Sequence, residues 1–384
     1  MQSTVLRPQT WEVSSTLDIR YEIKECSGLL DPDNPALAES PEGTRTGGTR
    51  LVIVDHAVQR LHGASIARYL GERNVPYRLL VLSGEERHKT MGQVFRIVGA
   101  LNELGTRRVS DPPVAIGGGV VLDVVGLAAS LYRRGIPFVR VPTTLLSLVD
   151  VSVAVKTGVN YQGYRNRLGS YSPPPLTLLD DTFLRTLDRR QVSNGAGEIL
   201  KMALIKDEPL FRLLERQGRM LVDTRFHGSE PARQAVRAAI GGMLDELRPN
   251  LWEKDLERIV DYGHSFSPLV EMTFVDELLH GEAVAIDCLL SAVIAAERGY
   301  LEDAHLDRIL ATMAGLGLPL WHRGFDDVEL LGRALADTVK HRNGRQNLPM
   351  LTGIGKTVFL NDVSSAEIAR AAARAAGLAL RAAA

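Results

Sequence analysis

An α/β domain on a mostly parallel sheet, followed by a mainly α-helical domain, is the fold class that this 384-residue sequence predicts. Three observations predict it. Short apolar runs alternate with helical patterns through the first half. One of those runs ends in three glycines that open a helix. Beyond residue 190 or so, the texture turns helical and rich in Ala and Leu.

Leu51-Val52-Ile53-Val54, closed by Asp55, reads as the first strand and Tyr77–Leu82 as the second. Val114-Ala115-Ile116 leads into Gly117-Gly118-Gly119, and Phe138–Val141 ends at Pro142. Helical patterns cover 57–72, 90–105 and 120–134, the last stopping at Gly135 as a helix C-cap would. Such alternation calls for parallel strands joined by crossover helices. Segment 30–48 reads as a mobile surface loop, and Pro173-Pro174-Pro175 as a rigid loop inside the first domain. Helices are then expected within 195–245, 281–298, 303–315 and 363–383, with β-like character only at 348–360. The expected division is an N-terminal domain over 1–190 and a C-terminal domain over 191–384, with the active site in the cleft between them.

Composition narrows the function classes. Lys plus Arg (45) nearly cancels Asp plus Glu (46), so no whole-molecule field draws the chain to nucleic acid or an anionic membrane. Two cysteines, Cys26 and Cys288, are too few for a disulfide framework or a Cys-based zinc site. The N-terminus lacks a basic start followed by an apolar core, and no apolar run reaches the ~18 residues of a membrane span. A cytoplasmic enzyme or binding protein is expected.

Three groups of residues carry chemistry. The glycines at 117–119 let backbone N–H groups approach a phosphate at a helix N-terminus, or simply make a tight strand-to-helix turn. Asp55 at a strand end suits ribose hydroxyls, or equally the N-cap of the next helix. Asp150 and Lys156 are isolated charges in an apolar stretch followed by Arg165, Asn166 and Arg167; they form either an internal ion pair or a pocket for an oxygen-rich anion. Glu198, His264 and His280 are of the right types for Zn²⁺ or Co²⁺ with a position left open. Glu198 and Lys201 share a helix face, which sets an ammonium beside that site or makes a solvated ion pair. The residues alone leave the reaction open.

Longer segments add a resemblance. GGGVVLDVVGLAASLYRRGIPFVRVPTTLLSLVDVSVAVKTGVN resembles the central signature of the dehydroquinate synthase-like sugar phosphate cyclases, and GAGEILKMALIKD, DYGHSFSPLVE and LLHGEAVAID resemble that family's metal-ligand segments in order and spacing. The resemblance implies a Rossmann-like nucleotide-binding domain joined to a helical domain, with NAD⁺ and one divalent metal, Zn²⁺ or Co²⁺. Glu198, His264 and His280 match the metal ligands. Asp55, Glu86, Lys89, Gly118, Gly119, Val120, Asp123, Thr143, Thr144, Phe183, Thr186 and Leu187 match nucleotide-contacting positions, with Arg165 where the family commonly has Lys. Asp150, Lys156, Asn166 and Lys201 match substrate positions. Arg134 matches an arginine lent across a homodimer, and Asp261 and His264 are expected to manage protons or orient hydroxyls.

Departures from the dehydroquinate synthases point to one branch. Where those enzymes have Asn, a second His, Lys and Arg, this chain has Asp261, Pro268, Met243 and Glu257. Two cations expected near a substrate carboxylate are gone, and two acids have appeared, so the resemblance implies a small-molecule sugar phosphate without a carboxylate. RNRLGSY, RPNLWE, DYGHSFSP and KHRNGRQNLP resemble the branch that cyclises sedoheptulose 7-phosphate to a valiolone, and Lys340 and His341 match catalytic-side positions of that branch. The implied course is transient oxidation by NAD⁺, β-elimination of phosphate, reduction, ring opening and aldol closure. Sister cyclases acting on the same ketose phosphate are the alternative, and a dehydroquinate-forming enzyme stands further off.

Overall fold

The computed structural model describes residues 9–39, 41, 44 and 47–383. Residues 1–8, the start of the segment read for a leader, lie outside the described residues, as do 40, 42, 43, 45 and 46 within the predicted loop.

Six strands make one parallel sheet: β1 (Glu22–Glu25), β2 (Arg50–Asp55), β3 (Tyr77–Leu82), β4 (Val114–Gly117), β5 (Val139–Pro142) and, later in the chain, β8 (Leu176–Leu179), in the order β1-β8-β5-β4-β2-β3. β2 and β4 are buried along their whole length, which is why they read as unbroken apolar runs rather than alternating ones. Helices α1 (His56–Glu72), α2 (Met91–Glu103) and α3 (Gly119–Leu131) are the crossovers. From β2 the chain steps outward to β3, then returns to β4 and proceeds the other way to β5 and β8. The order therefore reverses between β2 and β4. A crevice opens at the carboxyl ends of strands at such a point, and Asp55 and Gly117–Gly119 stand there.

The structure adds a layer that the sequence reading lacked. β6 (Lys156–Tyr161) and β7 (Tyr164–Tyr171) form an antiparallel hairpin packed over α3. Its turn holds Gln162 at φ 49° and Gly163 at φ 78°, the left-handed pair of a tight hairpin. The predicted helix over 120–134 ends at Leu131, and Tyr132–Arg134 form a separate tight turn before Gly135.

The helical half starts at α4 (Arg189–Lys206), six residues earlier than the pattern predicted, because Asp188 caps it by accepting from Gln191 N at 2.9 Å. There follow α5 (Glu208–Asp223), α6 (Glu230–Leu247), α7 (Ser267–Thr273), α8 (His280–Glu297), α9 (Asp303–Gly315), α10 (Val328–His341), the hairpin β9 (Leu348–Gly353) and β10 (Lys356–Leu360), and α11 (Ser365–Ala383). α8 is buried from His280 to Ala295 and forms the axis on which α4, α7, α9 and α11 pack. None of the helices among the described residues is long and apolar enough to cross a membrane.

The described part of segment 30–48 is not loose. Tyr69 on α1 donates to Asn34 O at 2.7 Å and accepts from Ala38 N at 3.0 Å, while Arg50 donates to Leu37 O. Leu29 and Leu37 join the core under the sheet. A run of turn residues supplies few apolar anchors of its own; here the anchors belong to α1 and β2.

Candidate active site

Glu198, Lys201, His264 and His280 meet in the interior, between α4, the loop before α7 and the start of α8. Glu198 Oε1 lies 3.2 Å from His280 Nε2 and 3.6 Å from His264 Nε2, and Lys201 Nζ lies 2.6 Å from Glu198 Oε2. The approach depends on glycine. Gly197 on α4 faces Gly281 on α8, and a Cβ on Gly281 would stand 1.8 Å from Asn194 O. Asn194 Oδ1 also accepts from Gly281 N at 2.7 Å, locking the crossing. Glu282, held by Arg190 at 2.7 Å, accepts from Leu279 N and sets the first turn of α8 beneath His280.

The donor set fits a divalent metal. Its three ligating atoms lie within 4.8 Å of one another, and both Glu198 oxygens are buried without a well-formed hydrogen bond. Each imidazole is oriented through its other nitrogen: His280 Nδ1 is 2.9 Å from Glu271 Oε2, and His264 Nδ1 is 3.1 Å from Tyr262 O. That arrangement leaves Nε2 of both rings facing the carboxylate, the second-shell pattern of protein metal sites. Burial alone would raise the Glu198 carboxyl, yet the Lys201 ammonium and a hydrogen bond from His280 hold it well below the usual range. Burial, with Lys201 adding to it, holds His264 well below its ordinary value, so it stands neutral as a ligand must.

Two carboxylates absent from the predicted set shape this cluster. Glu271, the last residue of DYGHSFSPLVE, stands behind His280, and Asp287 accepts from Phe266 N and Ser267 N at 2.6 and 2.8 Å, fixing the loop that carries His264. Burial pushes Asp287 up to about 6. Both are lone acids in apolar runs, the same signal that singled out Asp150.

On the nucleotide side, Asp55 realises its capping reading: Oδ1 accepts from Val58 N at 2.7 Å. Its other oxygen faces the glycine turn, where a Cβ on Gly117 would come within 3.3 Å of Oδ2. A Cβ on Gly118 would meet Thr144 at 3.3 Å, and one on Gly119 would meet Val151 at 3.2 Å, so the turn into α3, ahead of Val120, is packed tightly enough to need glycine. Thr143 N bonds Gly117 O at 3.0 Å, and Thr144 caps Ser147. Phe183, Thr186 and Leu187 follow β8, with Phe183 and Thr186 lining a cavity of about 750 Å³ together with Gly28, His62 and Arg68. Lys89, fully buried, binds Asp123 at 2.5 Å and Asn166 at 2.6 Å, which ties the nucleotide-side residues to the hairpin.

Asp150 lies on a single π-turn, Ser147–Val151, whose end is held by the buried Arg140: it donates to Val151 O at 2.8 Å, Ala154 O at 2.6 Å and Lys156 O at 3.2 Å. Burial, with Glu198 adding to it, raises the Asp150 carboxyl. Lys156 pairs not with Asp150 but with Glu253, at 2.9 Å. Arg165 reaches the histidine cluster: its guanidinium lies 3.3 Å from Glu271, 3.8 Å from Glu86 and 3.4 Å from His280 Nε2. Asp261 pairs with Arg258 at 3.1 Å and Arg342 at 3.3 Å. Within this chain, Arg134, Lys340 and His341 are exposed, and it is Arg342, next to His341, that turns inward. Glu257 is exposed too, so of the two acids counted at the substrate side only Asp261 is there; the neighbouring Arg258 points in instead.

A nucleotide cradle at the sheet's switch point and a His₂Glu centre in the helical half together define one class of protein. Residues 79–194 match the family model of the 3-dehydroquinate synthase N-terminal domain and 195–340 that of its C-terminal domain, and the chain belongs to this family of sugar phosphate cyclases. A 2-epi-5-epi-valiolone synthase of Streptomyces albus is 50% identical over 365 residues, 94% of this chain and 89% of that protein. The demethyl-4-deoxygadusol synthase of Trichormus variabilis is 38% identical, over 92% of this chain and 87% of its own. The solved structure of a 2-epi-5-epi-valiolone synthase from Streptomyces hygroscopicus subsp. jinggangensis, with NAD⁺ and Zn²⁺ bound, superposes with a TM-score of 0.92 at 48% identity, covering 96% of this chain and 100% of that one.

Proposed function

We propose that the protein converts sedoheptulose 7-phosphate to 2-epi-5-epi-valiolone and inorganic phosphate, a carbon–oxygen lyase reaction in which NAD⁺ is regenerated at each turnover. The observation that carries this reading is the 50% identity to a valiolone synthase across nearly the whole chain. In the proposal, residues 1–190 bind NAD⁺, residues 191–384 bind the metal, and substrate lies between them in a cytoplasmic homodimer.

Glu198, His264 and His280 would hold the metal, Zn²⁺ or Co²⁺. Bound there, the metal supplies Lewis acidity to a substrate hydroxyl, and NAD⁺ supplies a reversible hydride acceptor. The chain's own residues position and neutralise. The Lys201 ammonium, kept charged because Glu198 and Asp150 outweigh its burial, faces developing oxyanions. Lys156, at the open end of the hairpin, and Asn166, near its turn, are assigned to orienting the phosphate and its neighbouring oxygens, and the carboxyl of Asp150 sits where a proton can be held. Asp261 and the loop of His264 orient ring hydroxyls, with Arg342 and Arg258 fixing the Asp261 carboxylate.

Incubation with sedoheptulose 7-phosphate, NAD⁺ and Zn²⁺ or Co²⁺ tests the reading. Phosphate release, a seven-carbon cyclitol by NMR and no accumulation of NADH are expected. The C5 configuration distinguishes the proposed product from its epimer. No phosphate release from the loaded protein would overturn the proposal.

A further inference from the structure

Beside the histidine cluster, five charged side chains form a closed set. Glu253 keeps 7% of its side chain exposed; Oε1 lies 2.9 Å from Lys156 Nζ, and Oε2 lies 2.5 Å from Arg258 and 3.3 Å from the Tyr171 hydroxyl that donates to it. Arg258 also reaches Asp261 Oδ1 at 3.1 Å, and Arg342 reaches Oδ2 at 3.3 Å. Three cations therefore face two fixed carboxylates. Arg258 and Arg342 are buried and need anions close by, while Lys156 is half exposed; the two carboxylates leave one cation of the three uncompensated. Glu257, the other acid that sets this chain apart from the dehydroquinate synthases, is exposed.

We propose that Glu253 determines specificity: as the built-in counter-charge of Lys156 and Arg258, it selects sugar phosphates with a hydroxymethyl group beside the ketone over those with a carboxylate there. This rests on the sugar phosphate reading above and assigns its selectivity to one residue. A substrate carboxylate could engage the buried Arg258 only by displacing Glu253, leaving that buried carboxylate without its guanidinium partner; a hydroxyl imposes no such cost. Selectivity by an internal repulsive element of this kind is rejection rather than better attraction.

The test is a calorimetric titration of protein loaded with Zn²⁺ and NADH, a state unable to accept a hydride. The probes are sedoheptulose 7-phosphate and the 2-keto acid 7-phosphate bearing a carboxylate in place of its C1 hydroxymethyl group. The unmodified protein should bind the acid at least tenfold more weakly. Glu253→Gln should narrow that ratio tenfold or more, Arg258→Gln should widen it, and Glu257→Gln should leave it unchanged. A merely structural role for Glu253 would weaken both probes together. A ratio indifferent to both Glu253→Gln and Arg258→Gln, or one that moves with Glu257→Gln, would overturn the proposal. If Glu253→Gln does not fold, Arg258→Gln decides by itself, and an unchanged ratio there is equally fatal. Failure of the unmodified protein to release phosphate from sedoheptulose 7-phosphate counts against the function instead, and the titrations still read the role of Glu253.

Discussion

Lys201 shows what a single side chain does here. It is an ammonium inside a helix, almost wholly buried, held 2.6 Å from Glu198. Breaking a buried pair by removing one partner costs about 3–5 kcal/mol, because the other charge is stranded. Lys201→Met should therefore lower thermal stability in protein stripped of metal, and should cut turnover by roughly 100-fold or more if the ammonium meets oxyanions as proposed. Steady-state kinetics alongside a circular-dichroism melt separate the two effects; full activity in a folded variant would remove Lys201 from the mechanism. Lys156 teaches the complementary lesson. In the sequence it and Asp150 are the two stray charges of one stretch, but its ammonium is claimed by Glu253, from a segment that no local spacing connects to it.

Among the elements, the crossing of α4 and α8 positions the centre. Glu198 follows Gly197 and His280 precedes Gly281, so the two metal-facing residues flank the point of closest approach. A methyl group on Gly281 has no room, since Asn194 O would stand 1.8 Å away. Gly281→Ala should destabilise the protein by roughly 3 kcal/mol and weaken metal binding as the helices part. Gly241→Ala on α6, where an added Cβ meets nothing within 4 Å, should be neutral or stabilising by up to about 1 kcal/mol. Equal denaturation midpoints for the two variants would show that the crossing is not tight. The β6–β7 hairpin escaped the sequence reading because it lies on the surface and alternates weakly, although Gln162-Gly163 between two aromatic-flanked runs was a turn signal in plain sight.

At the scale of the whole molecule, pH reports on the seam between the sheet and the helices. Burial alone would raise the Glu86 carboxyl, but the Lys89 ammonium, the Arg165 guanidinium and a hydrogen bond from Asn160 bring it down to about 2. A carboxyl whose folded value is depressed stabilises the fold above its unfolded value and loses that contribution as pH falls through the folded one. The stability gap between the protein and Glu86→Gln should thus be full above pH 4.5 and close by about 3 kcal/mol toward pH 2. Denaturant unfolding of both proteins from pH 6 to pH 3 would show the gap beginning to shrink; a gap independent of pH would mean that Glu86 is not held by these cations.

Read alone, the chain determined the kinds of chemistry present. The parallel sheet was legible because buried strands are continuous apolar runs, and Glu198, His264 and His280 because imidazole and carboxylate in ordered segments match a known family. Asp55 and the glycine turn were legible as a pair, although the capping role of Asp55 and any contact with a ribose use different oxygens of one carboxylate. Tertiary structure alone decided which charges meet. Glu271 behind His280, Asp287 beneath the His264 loop, Arg342 turned inward while Lys340 and His341 stay outside, and Glu253 rather than Glu257 facing Lys156 all depend on packing between distant segments. The physical reason is range: helical and strand periodicity govern neighbours a few residues apart, whereas a buried charge is stabilised by whichever opposite charge the finished core brings within about 3 Å of it.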